Sequence, residues 1–172
     1  MSLIPSLKKD EVDDVLKPVY KDFEKKIGKV PAWVKTMAHS PYITKEFVDF
    51  FHVIMGKERA IDKELKWKIG YIVSQKLKCK FCVDVTSKML LKMGASKDTL
   101  EDIEKRENIS EDEKKVFDLV EDITEDGHLD NPEIFDELKQ IFSKREIVEI
   151  ISVIGFFNYI NRFNNTLAIL PE

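Results

Sequence analysis

The sequence predicts an all-α protein on three observations. Apolar residues recur at three- and four-residue spacing in one segment after another, and no segment sustains period-two alternation. Polar caps and glycine stops bracket the periodic runs.

Taken in order, Val12, Val15, Leu16, Val19, Tyr20, Phe23 and Ile27 share one helical face. An amphipathic helix is therefore expected after Lys9, kinked at Pro18 and stopped at Gly28. A short helix fits between Pro31 and Ser40. Ser40-Pro41 then supplies a cap and a first-turn proline for a helix that carries Phe47, Phe50, Phe51 and Ile54 inward and stops near Gly56. Asp62 caps a helix running to about Leu77, with Leu65, Ile69, Ile72 and Val73 on its buried side. The next helix begins around Cys79 and ends at Gly94, and "ASKDTLEDI" adds a new cap and a short helix. "SEDE" at Ser110 to Glu113 and "SKRE" at Ser143 to Glu146 are capping boxes, and between them Pro132 starts a helix carrying Ile134, Leu138 and Ile141. The segment after Ser143 is apolar on nearly every side, which suits the middle of a core or a subunit interface.

No linker rich in Gly, Pro or Ser divides the 172 residues, so a single domain over 1–172 is expected. Net charge is -4, and Lys and Arg are scattered among Asp and Glu, which argues against a nucleic-acid partner. The start "MSLIPSLKKDEVDD" lacks a cationic segment followed by an apolar run. The longest apolar stretch, "IVEIISVIGFFNYI", is too short to span a bilayer. A cytoplasmic protein without a membrane partner is expected, where a lone Cys pair is more often catalytic or metal-binding than a structural disulfide.

The chain has two cysteines, Cys79 and Cys82, spaced Cys-x-x-Cys at a helix start. Unpaired amides and the positive end of the helix dipole favour a thiolate there, most directly at Cys79, and Lys76, Lys78 and Lys80 add positive charge around the turn. A partner three residues on can close a disulfide within one helical turn. The metal reading has Cys79 and Cys82 as ligands. His39, His52 and His128 complete no finger spacing, although a symmetric dimer would pool four sulfurs. The third reading is two small buried hydrophobes.

Three stretches together resemble the peroxidase-related branch of the carboxymuconolactone decarboxylase and alkyl hydroperoxidase D-like superfamily, and the resemblance covers nearly the whole chain. They are "IGKVPAWVKTMAHSPYITKEFVDFF", the core block at about 61–96, "IDKELKWKIGYIVSQKLKCKFCVDVTSKMLLKMGAS", and the terminal "FFNYINRFNNTLAIL". The resemblance implies a compact multi-helix alkyl hydroperoxidase D-like fold. It also implies a redox-active Cys79/Cys82 pair in which Cys82 attacks peroxide and Cys79 resolves, whereas the dipole argument favours ionisation of Cys79. Active members carry a glutamate twelve residues before the first cysteine and a histidine four after the second. Those positions are Trp67 and Thr86 in this chain. Glu64, Asp84 and His52 are the candidate acid-base replacements. Asn158, Asn161 and Arg162 match the terminal motif, and their expected role is to bind neighbouring helix ends or fix an interface.

The expected function is a thiol-dependent, peroxidase-like antioxidant protein of reduced efficiency, because a positioned proton carrier contributes about a hundredfold or more. It would use no cofactor and no resident metal, with a peroxide or oxidised thiol as substrate and a dithiol reductant. Homo-oligomers are implied by the resemblance and agree with eleven Phe and four Tyr in a chain of this size. The alternatives are a general thiol-disulfide oxidoreductase, or a non-catalytic oligomeric module of the same fold with zinc between subunits. A lactone decarboxylase would need an acid-base pair that this sequence does not assemble.

Overall fold

A computed structural model describes residues 2–56, 60–129 and 132–171. Among these residues every regular element is helical, in agreement with the expected class. The Asp13 side chain accepts from the Val15 amide and starts a 3-10 turn, Asp14–Leu16. Helix α1 (Lys17–Ile27) follows with Pro18 in its first turn, so the expected kink does not occur. At that position the proline has no preceding helical carbonyl to clash with and no intrahelical bond to lose. Gly28 ends α1 at φ 79°, its amide donating to the Glu24 carbonyl.

Helices α2 (Ala32–Met37) and α3 (Pro41–Met55) meet at Ser40, which holds the cap position without a side-chain capping bond. Thr44 Oγ1 secures the corner instead, sharing its proton between the carbonyls of Met37 at 2.6 Å and Ser40 at 2.9 Å. Phe50 is a second departure from expectation, since it is 43% exposed. Thr44, Val48 and Met55 form the buried stripe of α3, and Phe50 lies beside it, edge-on to Phe156 with ring centroids 5.9 Å apart.

The centre is α4 (Lys63–Lys76), capped by Asp62 as expected, and buried from Leu65 to Ser74 except at Lys68. It packs against α5 (Lys80–Lys92), α7 (Glu111–Asp126) and α9 (Lys144–Thr166). Gly70 marks the closest approach of α4 to α9: a methyl group there would overlap the Phe157 ring. Helix α6 (Lys97–Lys105) starts from a Ser96/Thr99 capping box. Boxes at Ser110/Glu113 and Ser143/Glu146 start α7 and α9, and Pro132 caps α8 (Glu133–Ile141).

Helix α9 buries Ile147, Ile150, Val153, Ile154, Phe156, Phe157, Ile160, Asn161 and Asn164, while Val148 and Tyr159 remain exposed. Asn161 donates to the Phe157 carbonyl of its own helix at 2.7 Å, while Asn158 and Arg162 tie α9 to α7. Arg162 donates to the Thr124 carbonyl in the last turn of α7 at 3.0 Å, and Asn158 donates to Thr124 Oγ1 at 3.0 Å. Among the described residues no helix is long and apolar enough to cross a membrane.

Candidate active site

The site lies where α4 turns into α5. Lys78, at φ 54°, reverses the chain in the left-handed region, and Cys79 is the N-cap of α5. The Cys79 amide donates to the Ser74 carbonyl at 3.0 Å, which holds the corner against the end of α4. From the other side, Asn165 of the last α9 turn donates to the Leu77 carbonyl at 2.8 Å. Three helices therefore fix the two sulfurs.

Both cysteines are free, and they are 1% and 5% exposed. Their sulfurs are 2.6 Å apart, and the Cys82 amide points at Cys79 Sγ from 3.4 Å. The hydrogen bond from the Cys82 thiol lowers the pKa of Cys79 below the ordinary thiol value. Burial opposes that shift, and the amides of Cys82 and Phe81 reinforce it. Cys82 moves strongly the other way, first because its proton is held by Cys79, then through burial and the adjacent negative charge. Asn164 acts against this rise by donating its Nδ2 to Cys82 Sγ at 3.3 Å. The two thiols therefore titrate as a pair, in which Cys79 is the first to lose its proton and Cys82 the one that keeps it. The helix start contributes through named amides. The lysines expected to assist point elsewhere: Lys76 pairs with Glu125 at 2.7 Å, and Lys78 and Lys80 are exposed.

Cys82 also forms part of the wall of an apolar cavity of about 300 Å³, bounded by Trp33, Trp67, Phe81, Phe156 and Phe157. Cys79 lies behind Cys82 and does not line it. Trp67 is 5% exposed and its indole Nε1 has no hydrogen-bond partner. Thr86 lines the same cavity, but its hydroxyl donates back to the Cys82 carbonyl at 2.8 Å, the ordinary helical arrangement. The two expected relay positions thus frame the thiol with side chains that do not titrate.

The candidate replacements divide. Glu64 pairs with Lys68 at 2.7 Å and Asp84 with Lys88 at 2.7 Å, and neither lines the cavity. His52 does reach the cavity rim together with Lys26, and both face Asp22 Oδ2, at 3.7 Å and 2.8 Å. His39 bonds to the Pro5 carbonyl and His128 to the Asp126 carbonyl. Among the described residues no group of three or more His, Cys, Asp and Glu side chains can hold a metal ion.

Asn164 is the site residue that sequence reasoning overlooked. Phe157, Asn161 and Asn164 follow one another at four and three residues, so the apolar face of α9 carries polar residues one and two turns beyond Phe157. A polar residue on an otherwise apolar helix face was the available signal.

No protein-family model matches the chain, and no curated protein matches it in sequence. Solved structures do match. One is the alkylhydroperoxidase AhpD core of Ralstonia eutropha JMP134, an uncharacterized peroxidase-related protein, with a TM-score of 0.89 and 20% identity over 99% of this chain and 92% of that one. Another is a peroxidase-related protein of Silicibacter sp. TM1040, with a TM-score of 0.88 and 20% identity over 99% of this chain and 92% of that one. A third is the debrominase Bmp8, solved in complex with 2,3,4-tribromopyrrole, with a TM-score of 0.84 and 23% identity over 100% of this chain and 92% of that one. The chain therefore has the alkylhydroperoxidase AhpD-core fold.

Proposed function

We propose that the chain, acting as one domain over residues 1–172, is a thiol-dependent, peroxidase-like oxidoreductase that cycles Cys79 and Cys82 between dithiol and disulfide. One observation carries this reading: Cys82 lines an apolar cavity while its sulfur lies 2.6 Å from Cys79. Cys82 passes its proton to Cys79 along that contact and attacks the terminal oxygen of a peroxide as the thiolate. The O–O bond breaks, Cys82 becomes a sulfenic acid, and the departing alkoxide takes a proton from water. Cys79 then attacks the Cys82 sulfur, hydroxide leaves with the Cys79 proton as water, and the disulfide closes. One peroxide and two thiols become one alcohol, one water and one disulfide, and an external dithiol reductant restores the pair.

In this scheme Cys79 is the proton acceptor and Cys82 the thiol within reach of substrate; the proton rests on Cys82, so attack proceeds through the minor form in which Cys79 holds it. The scheme calls on neither a glutamate nor a histidine at those positions. Only the protonation of the alkoxide is left unassisted, consistent with a rate about a hundredfold or more below that of a complete relay. Exposures of 1% and 5% favour a small substrate over the protein disulfide that a general thiol-disulfide oxidoreductase would take. We further propose a cytoplasmic homo-oligomer. Its support is the apolar surface of α3 and α9, where Tyr42 is 71%, Ile43 56% and Val148 64% exposed.

Reductive debromination is a second reading, favoured by the ring-lined cavity and by the likeness to the debrominase. Cys82 would accept bromine as a sulfenyl bromide while the ring keeps the electron pair and gains a proton from water. Cys79 would then displace bromide to give the same disulfide. The test of the first reading is a free-thiol titration and intact mass before and after one equivalent of cumene hydroperoxide. The expected result is loss of both thiols with a two-hydrogen decrease in mass, and thiols that stay unreactive would sink it.

A further inference from the structure

We propose that Trp67 and Asn164 are the donor and acceptor of a polar subsite beside Cys82, shaped for a hydroxyl or hydroperoxyl head on a small apolar body. This deepens the peroxidase reading and rests on it. Trp67 is 5% and Asn164 1% exposed, both line the cavity that Cys82 lines, and each carries a buried polar atom without a partner: the indole Nε1 and the amide Oδ1. Native interiors rarely leave such groups unpaired, so an orphaned donor and an orphaned acceptor on one cavity wall point to a ligand that completes them. The orientation of the Asn164 amide follows from its contact with Cys82: Nδ2 donates to Cys82 Sγ at 3.3 Å, and Oδ1 is left as the open acceptor.

Chemistry narrows the ligand. A hydrocarbon satisfies neither group. A ketone or ether accepts from Trp67 but gives Asn164 nothing. A carboxylate would bring negative charge toward the Asn164 oxygen and has no proton to donate to it. A hydroxyl accepts from Nε1 and donates to Oδ1 with one head group. In a hydroperoxide, the oxygen bonded to carbon accepts from Trp67 and the terminal O–H donates to Asn164. The oxygen that departs as alkoxide then faces the indole N–H as its charge develops. The substituted relay position thereby becomes a binding position, and the aromatic walls select an aryl or branched-alkyl body.

The chain's two tryptophans, Trp33 and Trp67, both line the cavity, so intrinsic fluorescence reads its occupancy. The ligands are 2-phenyl-2-propanol and tert-butylbenzene, in which a methyl replaces the hydroxyl, titrated into the reduced wild type and Trp67→Phe, with Trp33 reporting in the variant. A neutral hydrogen bond predicts an affinity loss of about two- to tenfold for the alcohol and a smaller change for the hydrocarbon, which controls for cavity shape. Equal losses for both ligands would overturn the subsite. Should Trp67→Phe not fold, the wild type alone decides: acetophenone must bind more weakly than the alcohol, and equal or tighter binding refutes the Asn164 acceptor. Thiol oxidation by cumene hydroperoxide is followed separately. Oxidation without ligand discrimination removes the subsite alone, whereas discrimination with inert thiols removes the peroxidase reading and leaves a binding subsite.

Discussion

Lys66 and Trp67 are adjacent on α4, both are buried, and their polar groups have opposite fates. Lys66 Nζ donates to the Ile54 carbonyl at 2.8 Å and pairs with Glu149 of α9, and Glu149 in turn accepts from the Ala60 amide at 2.8 Å. The two charges of that network are paired with each other and each is bonded to backbone, and the network joins the end of α3, the start of α4 and α9. One residue on, the Trp67 indole N–H has none, and it borders a cavity that Cys82 and an unpaired Asn164 oxygen also border. A closed polar network holds an architecture together, whereas an open one beside a cavity is arranged for something that arrives from outside.

The largest test of that contrast is chemical. Cys82→Ser and Cys79→Ser should each abolish disulfide formation by peroxide, since one thiol alone cannot close the bond. Two-electron cycling retained in either variant would remove the couple from the site. On the architectural side, Lys66→Met should cost about 3–5 kcal/mol in urea unfolding, because Glu149 would keep a largely buried charge without its counterion. The double change Lys66→Met with Glu149→Leu should regain much of that loss. If the single change is nearly neutral, the network is not the clamp described.

Gly70→Ala should destabilise by about 1–3 kcal/mol, because the added methyl pushes the Phe157 ring away from α4. Since Phe157 also lines the cavity, the same variant should alter ligand affinity, which the Lys66 variant should not. Here the two regions separate experimentally: one variant disturbs both stability and site, and the other disturbs stability alone.

The smallest effects concern pH, where the depressed carboxyl of one region and the depressed thiol of the other act in the same direction and only Cys82 opposes them. Burial opposes ionisation of Glu149, but hydrogen bonds from Lys66 and the Ala60 amide outweigh it and hold the carboxyl below its ordinary value. Its contribution is present above the unfolded carboxyl value of about 4.3 and is lost as pH falls through the folded one. Cys79 is likewise depressed, so between its folded value and the unfolded thiol value of about 8.5 the unfolded chain binds the extra proton and stability rises with pH. Above about 8.5, Cys82 opposes this, because its raised value keeps it protonated when the unfolded chain would ionise. In Cys82→Ala the Cys79 thiol loses its hydrogen-bond donor, so its alkylation should require higher pH than in the wild type. An unchanged pH profile would mean that the backbone amides, and not Cys82, lower the Cys79 pKa.

Much of the fold was legible because its signals are local. The capping boxes at Ser110 and Ser143, the Asp62 cap and the Gly28 stop each act within one turn, and each terminates a helix where the sequence placed it. Pro18 misled because a proline is destructive in a helix interior and harmless in a first turn, and the 3-10 turn that precedes α1 sets which applies. Phe50 misled because a helical stripe is wider than the groove that receives it. Within the site, the Cys-x-x-Cys spacing and the side chains at Trp67 and Thr86, neither of them an acid or a base, were readable. Nothing local ties Asn164 to Cys82, which lie 82 residues apart.

The sequence by itself determined where the helices start and stop, that two thiols share one turn, and that no ionisable relay flanks them at the expected positions. Those properties depend on neighbours within a few residues, and the chain order contains them in full. Tertiary structure decided which thiol faces the cavity, which is the first to lose its proton, and which buried polar atoms lack a partner. It also decided that Glu64 and Asp84 turn to surface lysines while Trp67 turns inward. The physical reason is that burial and pairing are properties of the space between helices, and that space exists only once α4, α5 and α9 have packed.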